Sequence, residues 1–445
     1  MTATADATRA SASSFADLGV PARIADVLDH QGLTFPFPIQ TATLPDSLAG
    51  RDVLGRGRTG SGKTLAFALP IVARLGVDSR RTRPNRPRAL VLVPTRELAT
   101  QVHDVVAPLA APSRLTVTTI FGGVRQNAQV RALDAGTDIV VACPGRLDDL
   151  MRQGHVDLRD VEITVLDEAD HMADLGFLPV VRRILDTIPR TGQRLLFSAT
   201  LDKGVDVLVR RYLVDPVTHS VDDDATTEPD MEHHVLTVTR EDKPAVVREL
   251  ASGQDRSVLF TRTKHAARKL ARDLTVAGIP AVDLHGNLSQ NARDRNLSRF
   301  RDGEVRVLVA TDVAARGIHV DAVALVVHVD PPTEHKAYLH RSGRTARAGA
   351  SGVVVTVQTA DQRAEVASMT RKAGISPAHA NVAPASPQVR ALTGPPAARV
   401  EPVPAVVPAP VAPRRATSPS RRRRGASGAG GGQRGSGSRP ARRPA

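Results

Sequence analysis

The chain alternates short apolar runs with longer segments of mixed polarity. ALVLVP (89–94), TVTTIF (116–121), DIVVACP (138–144), ITVLDE (163–168) and RLLFSAT (194–200) are β-rich and apolar on both faces. Such runs predict strands of a sheet covered on each side, and their alternation with helix-like segments predicts a parallel α/β architecture. RDVLG (51–55) reads as a further strand, followed by the amphipathic LAFALPIVARL. SVDDDATTEPDMEHH (220–234) is acidic, polar and without apolar periodicity, which predicts a linker, set at 220–232 in the domain layout. The alternation then restarts with SVLFTRT (257–263), IPAVDLHG (279–286), VRVLVATD (305–312), ALVVHVD (324–330) and GVVVTVQ (352–358). Two α/β domains of unequal length are therefore expected, at 15–219 and 233–384, after a disordered stretch at 1–14. From 385 onward the composition turns Pro/Ala-rich and then Gly/Ser/Arg-rich, and disorder is expected to the last residue.

Charge sharpens the picture of that last segment. The net charge is +14, and residues 386–445 hold twelve arginines against Glu401, a balance of +11. The segment predicts a polyanion partner, whose affinity would fall steeply with salt. Cys143 is the only cysteine, which excludes an intramolecular disulfide and a Cys-based zinc site. The first residues, MTATADATRASASS, lack the apolar core of a secretory signal, and no apolar run approaches the ~18 residues of a membrane helix. A cytoplasmic protein with no membrane partner is expected.

Residues 57–64 read GRTGSGKT, a full match to G-x-x-x-x-G-K-[ST]. The motif lies between a predicted strand and a predicted helix, the context it requires. Its glycines let backbone N–H groups close around phosphate oxygens at a helix N-terminus. This predicts a nucleoside triphosphate site over Arg58, Thr59, Gly60, Ser61, Gly62, Lys63 and Thr64, with Lys63 on the β/γ-phosphates and the Thr64 hydroxyl on Mg2+. About a hundred residues on, VLDEADHM (165–172) sets Asp167, Glu168 and Asp170 directly after an apolar run. Like charges this close raise one another's pKa unless a cation or a hydrogen-bond network holds them. A triphosphate needs Mg2+, and a hydrolase needs a group to orient or deprotonate water. Asp167 is expected to hold the magnesium and Glu168 to act as base. Alone, the three acids would read as a solvated helix N-terminus.

DEAD at 167–170 behind a Walker-type loop resembles the DEAD-box ATP-dependent RNA helicases of superfamily 2, bacterial type. The resemblance runs from Phe15 to about Gln358, with the motifs in family order. GLTFPFPIQ (32–40) is similar to the adenine-sensing Q motif, which implies that Gln40 contacts the base edge, and Phe15 is similar to the family's upstream aromatic. PTRELATQ (94–101), Gly122–Gly123 and CPGR (143–146) resemble RNA-backbone contacts, implying roles for Pro94, Thr95, Arg96, Gly122, Gly123, Pro144, Gly145 and Arg146. SAT (198–200) resembles the motif that links hydrolysis to strand separation, implying coupling roles for Asp170, Ser198, Thr200 and His340. LFTRT (259–263), QNAR (290–293) and ATDVAARGI (310–318) imply RNA contacts at Thr261, Arg262, Gln290, Arg293 and Thr311, and a nucleotide contact at Gly317. HRSGRTARAG (340–349) resembles the segment carrying arginine fingers, here Arg344 and Arg347.

The resemblance implies two tandem RecA-like parallel-sheet domains, ATP-binding then helicase C-terminal, joined by a linker and followed by a disordered basic C-terminal tail. It implies RNA-stimulated ATP hydrolysis with ATP and Mg2+, coupled to local unwinding of short RNA duplexes and RNA–protein remodelling. RNA would be held through phosphates and 2′-hydroxyls, nearly independent of sequence. A first domain with phosphate loop and base lacks a positive group for the transition-state charge, and Arg344 and Arg347 would supply it on closure. ATP and RNA should then tighten one another's binding. Five positions depart from the pattern: Leu33, Phe37, Gly57, Cys143 and His319. Leu33 and His319 predict weakened ATP affinity with hydrolysis kept. The basic tail is expected to tether RNA, without aromatics to stack on bases. Ribosome-assembly and RNA-decay complexes are the partners the family implies. A competing reading is an ATP-gated RNA clamp or annealer with little unwinding.

Overall fold

The computed structural model describes residues 13–57, 60–78, 80–221, 231–315, 323–346 and 351–401. Seven strands of the first half are β1 (Val53–Arg56), β2 (Ala89–Leu92), β3 (Val117–Ile120), β4 (Ile139–Ala142), β5 (Ile163–Leu166), β6 (Gln193–Ser198) and β7 (Val217–Ser220). They form one parallel sheet in the order β3-β4-β2-β5-β6-β1-β7. The second half contributes β8 (Met231–Val238), β9 (Arg256–Phe260), β10 (Ala281–Leu284), β11 (Val307–Ala310), β12 (Val323–His328), β13 (Gly352–Thr359) and β14 (Ala378–Asn381). Their order, β10-β11-β9-β12-β13-β8-β14, repeats the first strand for strand, again all parallel. The chain is thus two tandem RecA-like lobes, as the apolar pattern and the resemblance implied.

Period-two alternation divides each strand between two cores. In β2, Ala89 and Val91 join the core that holds the helix Lys63–Leu75, and Leu90 and Leu92 join the core on the other face. In β9, Val258 and Phe260 face one core while Leu259 faces the other. Burial on both faces is why these strands read as unbroken apolar runs rather than as alternating ones.

Two boundaries and two edge strands differ from the sequence reading. The linker ends earlier than expected: 231–234, MEHH, open strand β8, which pairs with β13 and β14. Polar residues fit there because their partners are distant, as when His233 Nδ1 meets the Tyr338 hydroxyl at 2.9 Å. The edge strands β7 (VTHS) and β14 (AHAN) carry too little apolar character to be read in isolation. Disorder from 385 does not hold for 385–401. The helix Pro387–Thr393 buries Val389 completely in the core of the second lobe, with Leu392 packed against it. Beyond that helix, Ala397 N–H donates to Ser252 O at 2.8 Å and Val400 N–H donates to Gly278 O at 2.9 Å. The Pro/Ala-rich composition hid two apolar residues that find a core. Residues 1–12 of the expected disordered stretch at 1–14, most of the linker (222–230) and the segment from 402 lie outside the described residues. Among the described residues no helix is long and apolar enough to cross a membrane.

The strap at 385–401 generates a stability prediction. Val389→Ala should cost about 2 kcal/mol from the lost burial and the cavity left behind. Val389→Asp should cost more, by burying an unpaired carboxylate. Chemical denaturation of the full chain checks both, and unchanged midpoints would show that the strap carries no load.

Candidate nucleotide and RNA site

In a parallel sheet every strand delivers its following loop to the same edge, and that edge is where such sheets bind ligands. In the first lobe β1 leads to the loop at 57–62, β2 to Pro94–Arg96, β4 to Cys143–Arg146, β5 to Asp167–Asp170 and β6 to Ser198–Thr200. Motifs scattered over 140 residues of sequence thereby share one rim.

The phosphate loop turns into its helix through Gly60 and Gly62, at φ +90° and +86°. A Cβ on Gly62 would lie 2.5 Å from Gln40 Nε2 and 2.8 Å from Phe37 Cδ2. Gln40 is fully buried behind the loop. Its Nε2 donates to Gly62 O at 2.8 Å, and its Oε1 accepts from Phe37 N–H at 2.9 Å. Gln40 therefore holds the loop's backbone before it meets any base. The buried Lys63 donates its ammonium to Gly57 O at 2.7 Å. Ser61 Oγ is buried with no hydrogen-bond partner among the described residues. Arg58 and Thr59 lie outside the described residues. Phe15, expected on the nucleotide, is 3% exposed and belongs to the apolar core of the first lobe, the same core that holds Ile39 and Phe67.

The acidic trio is separated by its partners. Glu168 adopts a left-handed backbone, φ 50° and ψ 51°, which costs a non-glycine residue roughly 1–2 kcal/mol. This turn splits the carboxylates. Asp167 is buried and accepts from Glu168 N–H at 2.9 Å. Burial pushes its carboxyl up to about 7; the Lys63 charge opposes the rise, and Glu168 and Asp170 add to it. For Glu168 burial works upward too, but the His171 hydrogen bond, then the charges of His171, Arg344 and Lys63, bring it down to about 2. Asp170 Oδ2 accepts from Thr200 N–H and from the Thr200 hydroxyl, both at 2.9 Å. Ser198 Oγ accepts from Asp170 N–H at 3.3 Å and donates to Thr200 O at 2.8 Å. Asp170, Ser198 and Thr200 are one hydrogen-bonded unit. Asp167 and the Thr64 hydroxyl offer hard oxygen donors, and a desolvated carboxylate held up to about 7 is one that a divalent cation would relieve.

The second lobe completes the cleft. The helix His335–Ser342 brings His340 to it, and Arg344 follows two residues after the helix ends. Lys63, Glu168, Asp170, His171 and Ala199 line one wall, and His340 and Arg344 line the other. Arg344 Nε donates to His340 O at 3.2 Å. Arg347 and Gly317 lie outside the described residues, as does His319. Arg341, which the motif reading left without a role, forks onto Asp312 at 2.5 and 2.8 Å and donates to Asp330 O at 2.8 Å. It also lies over the Phe260 ring, 5.1 Å from the centroid, and so fixes the helix that carries His340.

Among the described residues, polar contacts that join the lobes include three. Arg293 Nε donates to Glu97 Oε1 at 2.7 Å, Arg96 donates to Gln290 Oε1 at 2.9 Å, and Lys336 Nζ donates to Asp202 Oδ2 at 2.5 Å. Arg293, expected on RNA, is buried, and its Nη1 and Nη2 also donate to His285 O and Ala314 O. Its guanidinium is thus engaged inside the protein. Glu97 stands inside the quoted PTRELATQ, but its partner is 196 residues away and no local signal pairs them.

The other expected RNA residues divide into scaffold and surface. Thr95 Oγ1 caps its helix by accepting from Leu98 N–H at 3.2 Å, and Pro94, Pro144 and Thr261 are buried. The Arg96 guanidinium passes 2.1 Å from where a Cβ on Gly123 would stand. Around Gly122 and Gly145 that space is open. Arg146 donates to Val124 O at 3.3 Å, Thr311 N–H donates to Leu284 O at 3.2 Å, and Arg262 is exposed. The arginine-rich loop SRRTRPNRPR (79–88) is largely neutralised in place. Arg80, Arg83, Arg86 and Arg88 pair with acids among Asp78, Asp157, Asp160 and Glu162.

Two family descriptions match this arrangement: DEAD/DEAH box helicase over residues 37–208, and helicase conserved C-terminal domain over residues 242–349. The chain is 42% identical over 370 residues to the DEAD-box ATP-dependent RNA helicase 3A, chloroplastic, of Zea mays, covering 81% of this chain and 49% of that protein. It is 41% identical over 335 residues to the ATP-dependent RNA helicase DeaD of Escherichia coli (strain K12), covering 75% and 52%. The chain spans about half the length of these curated relatives. Among solved structures it resembles Mss116p bound to ssRNA and AMP-PNP, with TM-score 0.74, 26% identity, and coverage of 86% of this chain and 82% of that one. It also resembles S. cerevisiae Dbp5 bound to RNA and ADP BeF3, with TM-score 0.72, 29% identity, and coverage of 83% and 96%. With both lobes matched and its motifs gathered at one cleft, the chain belongs to the DEAD-box family of DEAD/DEAH box helicases.

Proposed function

We propose that this chain is an ATP-dependent RNA helicase, whose RNA-stimulated ATP hydrolysis drives local unwinding of short duplexes and remodelling of RNA–protein complexes. The observation that carries this reading is the divided cleft, with Lys63 and Glu168 on one lobe and His340 and Arg344 on the other. The γ-phosphate would lie between them. Lys63 exchanges the Gly57 carbonyl for phosphate oxygens. Glu168, held ionised, takes the proton of the attacking water. Arg344 and the neighbouring Arg347 meet the charge that develops on the transferring phosphoryl group. Asp167 and Thr64 are the residues that would hold Mg2+, which when bound neutralises triphosphate charge. The unit of Asp170, Ser198 and Thr200 would carry the state of the nucleotide to the RNA-facing loops.

RNA lying across both lobes would favour the same closure that ATP favours, so each should tighten the other. The ion pair of Glu97 and Arg293 would form as the lobes close. Contacts to phosphate and 2′-hydroxyl would make recognition nearly independent of sequence. A tail that tethers RNA fits the charge distribution of the chain. A clamp or annealer with little turnover is not favoured, because Lys63, Glu168 and Arg344 line one cleft.

ATPase rate against RNA concentration, with DNA as comparison, tests the reading. No stimulation by RNA would remove it. Glu168→Gln should lower kcat by about 10³-fold while leaving ATP and RNA binding intact, and Arg344→Ala should do so by a comparable factor. Equilibrium binding beside steady-state rates separates chemistry from affinity. Glu97→Arg or Arg293→Glu alone leaves a buried charge unpaired, a cost of about 3–5 kcal/mol to the closed form. Each should depress RNA-stimulated turnover, and the double exchange should recover part of it; three equal rates would count against the pair. Gly62→Ala strains a left-handed position by about 1–2 kcal/mol and displaces Gln40. It should raise KM for ATP, already expected above the low micromolar range, and an unaltered KM would argue against Gln40 supporting the loop.

A further inference from the structure

We propose that His171 is a positioning residue for Glu168, holding its carboxylate toward the cleft between the lobes. The proposal rests on the reading of Glu168 as base and adds to it a residue for which the motifs gave no role. The left-handed turn at Glu168 fixes where its Cβ points but leaves its side-chain torsions free. A base on a flexible stem needs an anchor to stay in line with a reacting water. His171 stands three residues on, in the first turn of the helix Ala169–Asp174, the spacing that brings side chains together. Its Nδ1 lies 2.9 Å from Glu168 Oε2. A carboxylate only accepts, so Nδ1 carries the proton.

The anchor is itself held. The His171 side chain is 5% exposed, and its backbone N–H donates to Asp170 Oδ1 at 3.0 Å. Asp170 is fastened in turn to Thr200. Nε2 is buried and has no hydrogen-bond partner among the described residues, so the contact to Glu168 is what orients the ring. From the second lobe the His340 ring approaches to 6.4 Å between centroids, at a 46° tilt. His340 of the second lobe thus stands beside the imidazole on the cleft wall that Glu168 shares. A core histidine that only filled space would need neither the short contact to the carboxylate nor a place on the cleft wall.

Full-length protein at saturating RNA tests this with His171→Leu, His171→Asn and His171→Gln, each alone and with Glu168→Gln. Asparagine can place an amide N–H where Nδ1 stands, and glutamine reaches instead toward the position of Nε2. His171→Leu should lower kcat at least fivefold with KM for ATP and the RNA Kd within twofold. His171→Asn should return to within threefold of the unsubstituted rate. In the Glu168→Gln background, His171→Leu should cost no further rate, because the group it positions has gone. A smaller fall in kcat, a KM that moves with it, an asparagine variant as slow as leucine, or an additive loss in the double variant each overturns the proposal. If His171→Leu unfolds, asparagine and glutamine decide: a fivefold advantage of asparagine supports positioning, and equal rates overturn it. Retained turnover in Glu168→Gln alone would remove the reading of the base, and this proposal with it.

Discussion

Three carboxylates at the end of one buried strand can coexist only because each is answered differently. Asp167 is buried, and the Lys63 charge opposes the rise that burial imposes on it. Glu168 is turned aside by a left-handed backbone and meets His171. Asp170 turns toward Thr200 and the end of β6. The backbone strain at Glu168 is what separates them, and the rest of the cleft follows from that separation. Three different surroundings are obtained from four consecutive positions where one φ angle changes sign.

The same economy governs the arginines. Arg88, Arg293 and Arg341 are all buried, and each is fixed by acids or carbonyls supplied from another segment. A guanidinium presents five donors in a rigid fork, so one side chain can pin several loops at once. In a chain where arginine far outnumbers lysine, many of the basic residues are structural, and position decides which face a phosphate. Arg262 and Arg293 both belong to motifs that resemble RNA contacts. One is exposed; the other clamps the two lobes.

How much was legible from sequence depended on the range of the signal. Runs such as ALVL, IVVA and ITVL announced buried parallel strands because burial on both faces leaves no polar positions. The phosphate loop announced itself because its glycines, lysine and threonine act within eight residues. The edge strands β7 and β14 were not legible, since four residues with so little apolar character become a strand only beside a partner. The strap at 385–401 was masked by its composition, although Val389 and Leu392 suffice to dock it.

The sequence by itself determined two α/β lobes, the phosphate loop, the acidic trio and the family resemblance, because each is written in local spacing or local apolarity. Tertiary structure alone decided that Gln40 holds the phosphate loop, that Phe15 is core, that Arg293 answers Glu97, and that His340 and His171 share a wall with Glu168. Most of these join segments tens to hundreds of residues apart, and even His171, three residues from Glu168, meets it across a turn that the fold imposes. No periodicity encodes such pairings; they arise when each sheet gathers its loops on one rim and the two rims meet.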